Sequence, residues 1–96
     1  NQNPLVVEVK QYAIRNGEGF NNAYKAIEQT TAYRAAKQAG IDYCPLTRSM
    51  NVSVRGMLVA YEIDNNAKQA LEKQGCEYKE IEKINNGEEK WNKKYL

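Results

Sequence analysis

The chain has 96 residues, 42% of them hydrophobic and 27% charged, which is the size and composition of one globular domain. Its 14 basic and 12 acidic side chains give a net charge of +2, so no strong electrostatic field indicates a nucleic-acid or membrane-surface partner. No apolar run approaches the roughly 18 residues of a membrane span. We expect a single domain over residues 1–96, with residues 1–4 and 85–96 at its periphery.

The sequence begins with "NQNP" and has no initial methionine. This polar start suits both a mature exported protein and a trimmed domain, because a cleaved signal peptide leaves no trace. We favour export, to the periplasm or the medium, over a cytoplasmic location.

The first half of the chain predicts a strand followed by a long helix. Residues 5–14, "LVVEVKQYAI", are rich in β-branched side chains and almost continuously apolar at first, as in the middle strand of a sheet. From Phe20 to Ala39 the apolar spacing changes to about 3.6 residues, which predicts an alanine-rich helix. Gly40 follows where a left-handed residue often ends a helix.

The second half predicts shorter elements. Residues 50–63, "MNVSVRGMLVAYEI", alternate in polarity and fit either a hairpin with a tight turn at Arg55-Gly56 or one strand bent by a glycine bulge; we favour the hairpin. Residues 64–75 predict a short helix that Asp64 or Asn65 caps and Gly75 ends. Residues 76–84 fit an edge strand or a helix, and we favour the strand. A lysine- and glutamate-rich tail follows.

This order of elements predicts an α+β fold. The expected sequence of elements is β-α-β-β-α-β, with a small mixed or antiparallel sheet and helices on one face. The split-βαβ arrangement matches that order.

The absence of histidine is the most informative feature for function. It excludes Ser-His-Asp and Cys-His catalysis and most zinc sites. The glutamates after Cys76 lie in lysine-rich, solvated surroundings, and Glu62 is expected on the solvent face opposite Arg55 or Lys10. The "GEGFNN" loop lacks the lysine of a phosphate-binding loop. We therefore predict no catalytic, metal-binding or cofactor-binding residues, and no enzymatic activity.

The two cysteines, Cys44 and Cys76, leave two alternatives open. They form one disulfide if the protein is exported, or they are two buried free thiols. Neither is expected to be a nucleophile, because Cys44 follows the C-terminal end of a helix and no histidine can activate it.

Tyrosine provides seven of the nine aromatic residues, and tyrosine is common at interfaces. Tyr33, Tyr43 and Arg48 are the candidate partner-binding surface. The predicted function is a non-enzymatic domain that binds another protein, or that helps to build an assembly by self-association.

A second hypothesis comes from residues 55–63, "RGMLVAYEI", which resemble the basic-glycine-aromatic strand of RNA-recognition domains. That family stacks bases on exposed aromatic side chains. Met57 and Val59 stand at the expected positions here, and Tyr61 and Tyr12 are the aromatic residues that could stack. The resemblance implies a single-stranded nucleic-acid-binding domain that uses the open sheet face. A small enzyme without histidine is a third hypothesis.

Overall fold

The computed structural model describes residues 3–17 and 20–82. Its strands are β1 (Leu5–Ile14), β2 (Asn16–Gly17), β3 (Phe20–Asn21), β4 (Arg55–Ile63) and β5 (Glu77–Glu80). Its helices are α1 (Ala23–Tyr43), α2 (Pro45–Arg48) and α3 (Asn65–Lys73). Strands β1, β4 and β5 form a parallel sheet in the order β1-β4-β5, and β2 pairs with β3 in a small antiparallel ribbon. No helix in these ranges is long and apolar enough to cross a membrane.

The core lies between the sheet and the two longer helices. Small side chains let α1 approach the sheet closely, and larger ones from β4 and α3 fill the centre. The buried cluster contains Ile14, Ala23, Ala26, Leu58, Ala60, Ile63, Ala67, Leu71 and Cys76. Helices α1 and α3 also contact each other, so both cover the same face of the sheet.

The other face of the sheet carries apolar side chains that the described residues leave partly exposed. Along β1 the side chains of Leu5, Val7 and Val9 are 39%, 44% and 54% exposed, and Val7 and Val9 pair with Met57 and Val59 of β4. The alternate residues of β1 face the helices, because successive side chains of a strand point to opposite faces.

The α+β class and the placement of helices on one face are confirmed, but the predicted mixed or antiparallel sheet is wrong. The error came from Gly56, which we interpreted as part of a hairpin turn. It lies inside β4, where a Cβ atom would come within 3.2 Å of Arg34 Cβ on α1. The glycine therefore allows close helix packing and does not mark a turn.

The first half of the predicted hairpin is not a strand. The segment before β4 is attached to α1 through the amide of Gln38, whose Nε2 donates to the Val52 carbonyl at 2.9 Å and whose Oε1 accepts from the Val54 amide at 2.8 Å. Because no strand lies between α2 and β4, the described sheet and its two longer helices follow the order β-α-β-α-β, and the split-βαβ arrangement does not form.

Both predicted helices form, but neither end of the first one is where we predicted it, since Phe20 lies in β3 and α1 begins at Ala23. Helix α1 continues through Gly40 to Tyr43. Helix α3 is capped as predicted, since Asp64 Oδ1 accepts from the Ala67 amide at 2.8 Å, and Gly75 follows it with φ of +72°. The edge strand favoured for residues 76–84 is confirmed over Glu77–Glu80, which form β5, and residues 83–84 lie outside the described residues. The predicted tail, residues 85–96, lies outside the described residues.

Candidate functional site

An ion pair on β1 is the most unusual feature of the sheet. Glu8 and Lys10 are two residues apart, so they lie on the same face, which is the one that α1 covers. The distance from Lys10 Nζ to Glu8 Oε2 is 3.0 Å, and the two side chains are only 18% and 16% exposed. Removing two charges from water, even in part, costs free energy. A contribution to stability is therefore a poor explanation for the presence of this pair.

The pair keeps its lysine protonated. The pKa of Lys10 is raised above the ordinary lysine value, chiefly by the hydrogen bond to Glu8, although partial burial acts in the opposite direction. Two tyrosines, Tyr12 and Tyr33, add smaller electrostatic contributions that also raise it. At neutral pH the site therefore presents a fixed ammonium group beside a carboxyl group.

Helix α1 brings two further polar side chains to this region. Tyr33 is close enough to Lys10 to affect its pKa, and Gln29 lies one helical turn earlier on the same side of α1. Gln29 Oε1 is buried and has no hydrogen-bond partner within the described part of the chain. Buried polar atoms are nearly always hydrogen-bonded, so Gln29 Oε1 is an acceptor that remains available to a donor or a cation.

A β-bulge shapes the other end of the site. Lys10 pairs with Ala60 of β4, but the next pairing joins Ala13 to Glu62, so β1 contains one extra residue here. Tyr12 lies in this bulge and is 43% exposed. Bulges are common next to active sites because they redirect a side chain.

The connection between β1 and α1 is held by Asn22. Its Nδ2 donates to the Ala13 carbonyl at 2.7 Å, and its Oδ1 accepts from the Arg15 amide at 2.8 Å. Both bonds join the residue before α1 to the end of β1. These two bonds therefore limit how far α1 can slide along its own axis relative to β1.

The oxygen atoms present suit a hard divalent cation. The described residues contain no group of three or more histidine, cysteine, aspartate or glutamate side chains that could hold a metal ion. Mg²⁺ needs fewer protein ligands, because it keeps several waters and often takes one or two carboxylates together with substrate phosphates. Glu8 and the amide oxygen of Gln29 are donors of the right type.

The three residues of the predicted partner surface are not brought together. Tyr33 lies at the site and is 49% exposed, whereas Tyr43 is 88% exposed at the end of α1, ten residues and about 15 Å further along the helix. Arg48 is exposed at the end of α2. Glu62, which we expected opposite Arg55 or Lys10, pairs with Arg15 at 3.4 Å instead.

The cysteines are both free thiols, so the structure does not support the disulfide between Cys44 and Cys76. Cys44 follows α1 but is also the residue before α2, and hydrogen bonds from the backbone of Thr47 and Leu46 lower the pKa of its thiol. Burial is the main reason that the pKa of Cys76 is raised. From the sequence we argued that the C-terminal end of a helix disfavours a thiolate at Cys44. Cys44 also precedes the N-terminal end of α2, where the helix dipole has the opposite effect.

Comparison with known proteins gives one informative similarity. No protein family and no curated protein matches the sequence. The chain is similar to the solved structure of EndoMS in its apo form, with a TM-score of 0.52 and 27% identity over 81% of this chain. The match covers 29% of the EndoMS chain, so this chain spans less than a third of that protein's length.

This similarity corrects two predictions. EndoMS is an endonuclease, so the prediction of a non-enzymatic protein-binding or assembly domain is wrong, and so is the prediction of no enzymatic activity. The comparison favours the alternative hypothesis of a nucleic-acid partner, and it gives no support to a protein partner.

Sequence reasoning missed Glu8, Lys10 and Gln29. We interpreted "LVVEVK" as an almost continuously apolar strand. The pattern that could have revealed the site is a glutamate and a lysine at positions i and i+2, which face the same side of a strand that is otherwise apolar. Charged side chains are rarely buried unless they are paired, and a buried pair is a candidate functional site.

Proposed function

We propose that this chain forms part of a nuclease active site, which hydrolyses phosphodiester bonds in nucleic acid. The observation that carries the proposal is the Glu8–Lys10 pair, whose charged atoms are 3.0 Å apart and whose side chains are largely buried. The similarity to an endonuclease over 81% of the chain supports it.

Lys10 fits the electrostatic requirement of the reaction. Attack on a phosphodiester places negative charge on the phosphoryl oxygens, and catalysis depends on fixed positive groups that stabilise this charge. The raised pKa of Lys10 keeps the ammonium group protonated, so it acts as a cation and not as a general base. Glu8 holds it in place, and little rearrangement is needed when the phosphate arrives.

Glu8 and Gln29 would hold Mg²⁺ through a carboxylate oxygen and an amide oxygen. A bound Mg²⁺ neutralises phosphate charge and lowers the pKa of a coordinated water. The burial of Gln29 Oε1 keeps this acceptor away from bulk water, and its lack of a partner keeps it available.

The test is cleavage of a fluorescently labelled DNA oligonucleotide by the purified chain in Mg²⁺ and in EDTA. We expect Mg²⁺-dependent cleavage that falls by about 10²- to 10³-fold in Glu8→Gln and in Lys10→Met, as when one transition-state contact is removed. The matched controls Glu82→Gln and Lys79→Met change exposed residues outside the site and should cleave normally.

A second readout follows the metal itself. Mn²⁺ added to ¹⁵N-labelled protein should broaden the Gln29 side-chain amide signals in the unchanged chain and leave them sharp in Glu8→Gln. Cleavage that is equal in Glu8→Gln, in Lys10→Met and in the controls would contradict the proposal, and so would the absence of Mg²⁺-dependent cleavage together with no Mn²⁺ effect.

A further inference from the structure

We infer that Asn22 is a positioning residue of the nuclease site, because its side-chain amide sets where α1 lies along β1 and thereby keeps Gln29 level with Lys10. The inference rests on the proposed nuclease function. It adds to that function a residue that acts through Gln29 and does not itself contact the metal or the substrate.

The Asn22 side chain is fully engaged with the end of β1. Its Nδ2 donates to the Ala13 carbonyl at 2.7 Å, and its Oδ1 accepts from the Arg15 amide at 2.8 Å. The Arg15 carbonyl in turn accepts from the backbone amides of Asn22 at 3.1 Å and of Ala23 at 3.3 Å. Side-chain and backbone bonds therefore join the end of the strand to the first residues of the helix.

Asn22 does not play the role that is common for a residue at its position. Asparagine directly before a helix usually accepts a hydrogen bond from an amide of the first turn, as Asp64 does for α3. The Asn22 side chain accepts no such bond from the first turn of α1, a turn that also contains no acidic residue. The side chain therefore serves the connection to β1 and not the end of its own helix.

The direction of α1 makes this connection relevant to the site. The helix begins beside the end of β1, and Gln38 in its second half is bonded to residues just before β4, which starts beside the start of β1. Helix and strand are therefore antiparallel. From the bond between Asn22 and Ala13, seven helical residues lead to Gln29, a rise of about 10 Å. Three strand residues lead back to Lys10, also about 10 Å. The two equal lengths place Gln29 level with Lys10.

The proposed Mg²⁺ ligands lie on both sides of this connection, Glu8 on the strand and Gln29 on the helix. Mg²⁺ demands near-ideal octahedral geometry, and a misplacement of about 1 Å at a reacting centre can cost about 10²-fold in rate. Residues that only orient metal ligands typically contribute about 10- to 100-fold to affinity or activity. Loss of the Asn22 bonds should therefore slow cleavage without removing any group from the site.

The experiment compares Asn22→Ser with the unchanged full chain. Serine caps a helix about as well as asparagine, but its single hydroxyl cannot replace both bonds to β1. We expect a folded variant whose kcat for Mg²⁺-dependent DNA cleavage is about 10- to 100-fold lower, with KM unchanged. The broadening of the Gln29 side-chain amide signals by Mn²⁺ should weaken as well, because it falls steeply with distance from the metal.

The matched control is Gln38→Ala, which also removes two hydrogen bonds from α1, but bonds to the segment before β4 and not to β1. It should cleave normally. Thermal unfolding by circular dichroism gives the folded fraction of each variant. An Asn22→Ser chain that matches Gln38→Ala in kcat and in Gln29 broadening would overturn the inference, and so would a loss of kcat that disappears after correction for the folded fraction.

Failure of this inference can be distinguished from failure of the nuclease proposal. An unchanged chain that neither cleaves DNA nor responds to Mn²⁺ refutes the nuclease proposal, whereas equal activity of the unchanged chain and Asn22→Ser refutes only the positioning role. Nuclear Overhauser contacts between the methyl groups of α1 and β1 test the helix position without metal or substrate. We expect them to change in Asn22→Ser, and an identical set of contacts would overturn the inference.

Discussion

The Glu8–Lys10 pair allows one prediction about stability to be worked out in detail. Lys10→Met removes the cation and leaves a carboxyl group that is 16% exposed without its partner. An unpaired, partly buried charged group costs about 1–3 kcal/mol, so the free energy of unfolding at pH 7 should fall by that amount. The double variant Glu8→Gln/Lys10→Met removes both charges and should return to within about 1 kcal/mol of the unchanged chain, because replacing a whole buried pair is often neutral.

Urea denaturation followed by circular dichroism measures all three unfolding free energies, with Lys79→Met as the control for loss of an exposed lysine. A single variant as stable as the unchanged chain would refute the reasoning. So would a double variant that is less stable than Lys10→Met, since that result would mean the pair is retained for stability.

The pH dependence of the same difference has a defined sign. The pKa of Lys10 is raised in the folded state, so its contribution to stability is fully present below the ordinary lysine pKa of about 10.4. It is lost as the pH rises through the raised value. The stability difference between the unchanged chain and Lys10→Met should therefore be constant from pH 7 to 9 and shrink above about pH 10.4. A difference that shrinks as the pH falls from 9 to 7 would contradict this assignment.

Three other predictions concern the core, the segment before β4 and the thiols. Leu58→Ala, at a fully buried position, should lower the free energy of unfolding by about 2–5 kcal/mol in the same urea titration; a loss under about 1 kcal/mol would place Leu58 outside the core. Gln38→Ala should speed hydrogen exchange at the Val54 amide by at least about fivefold, since that amide loses its acceptor; unchanged exchange would show that the bond is unimportant. Iodoacetamide at pH 8, followed by mass spectrometry, should modify Cys44 well before Cys76, because one thiol has a lowered pKa and the other is buried; equal rates would contradict this order.

Local features of the fold could be predicted from the sequence where one residue type has a specific backbone role. The Asp64 cap and the positive φ of Gly75 are examples, because a carboxylate caps a helix and glycine adopts the left-handed region without strain. The alanine-rich spacing of α1 likewise predicts its position. These properties depend on neighbours within a few residues of the chain.

The parallel sheet could not be predicted, because its cause is a contact between distant parts of the chain. The Arg55-Gly56 pair looks the same in sequence whether the glycine forms a turn or lets a helix pack closely on the strand. Only the position of Arg34 on α1 distinguishes these two roles. The site has the same difficulty. The burial of Gln29 Oε1 and the covering of Lys10 exist only after α1 packs on β1.

The Asn22 connection also determines how the site could be altered from a distance. Glu8 and Lys10 move with the strand, while Gln29 and Tyr33 move with the helix, so sliding α1 by one residue's rise, about 1.5 Å, would separate the two halves without breaking the ion pair. A larger side chain at Gly56 pushes against Arg34 in the middle of α1. Substitutions there would test the proposed site through helix position alone, with the side chains of Glu8, Lys10 and Gln29 left unchanged.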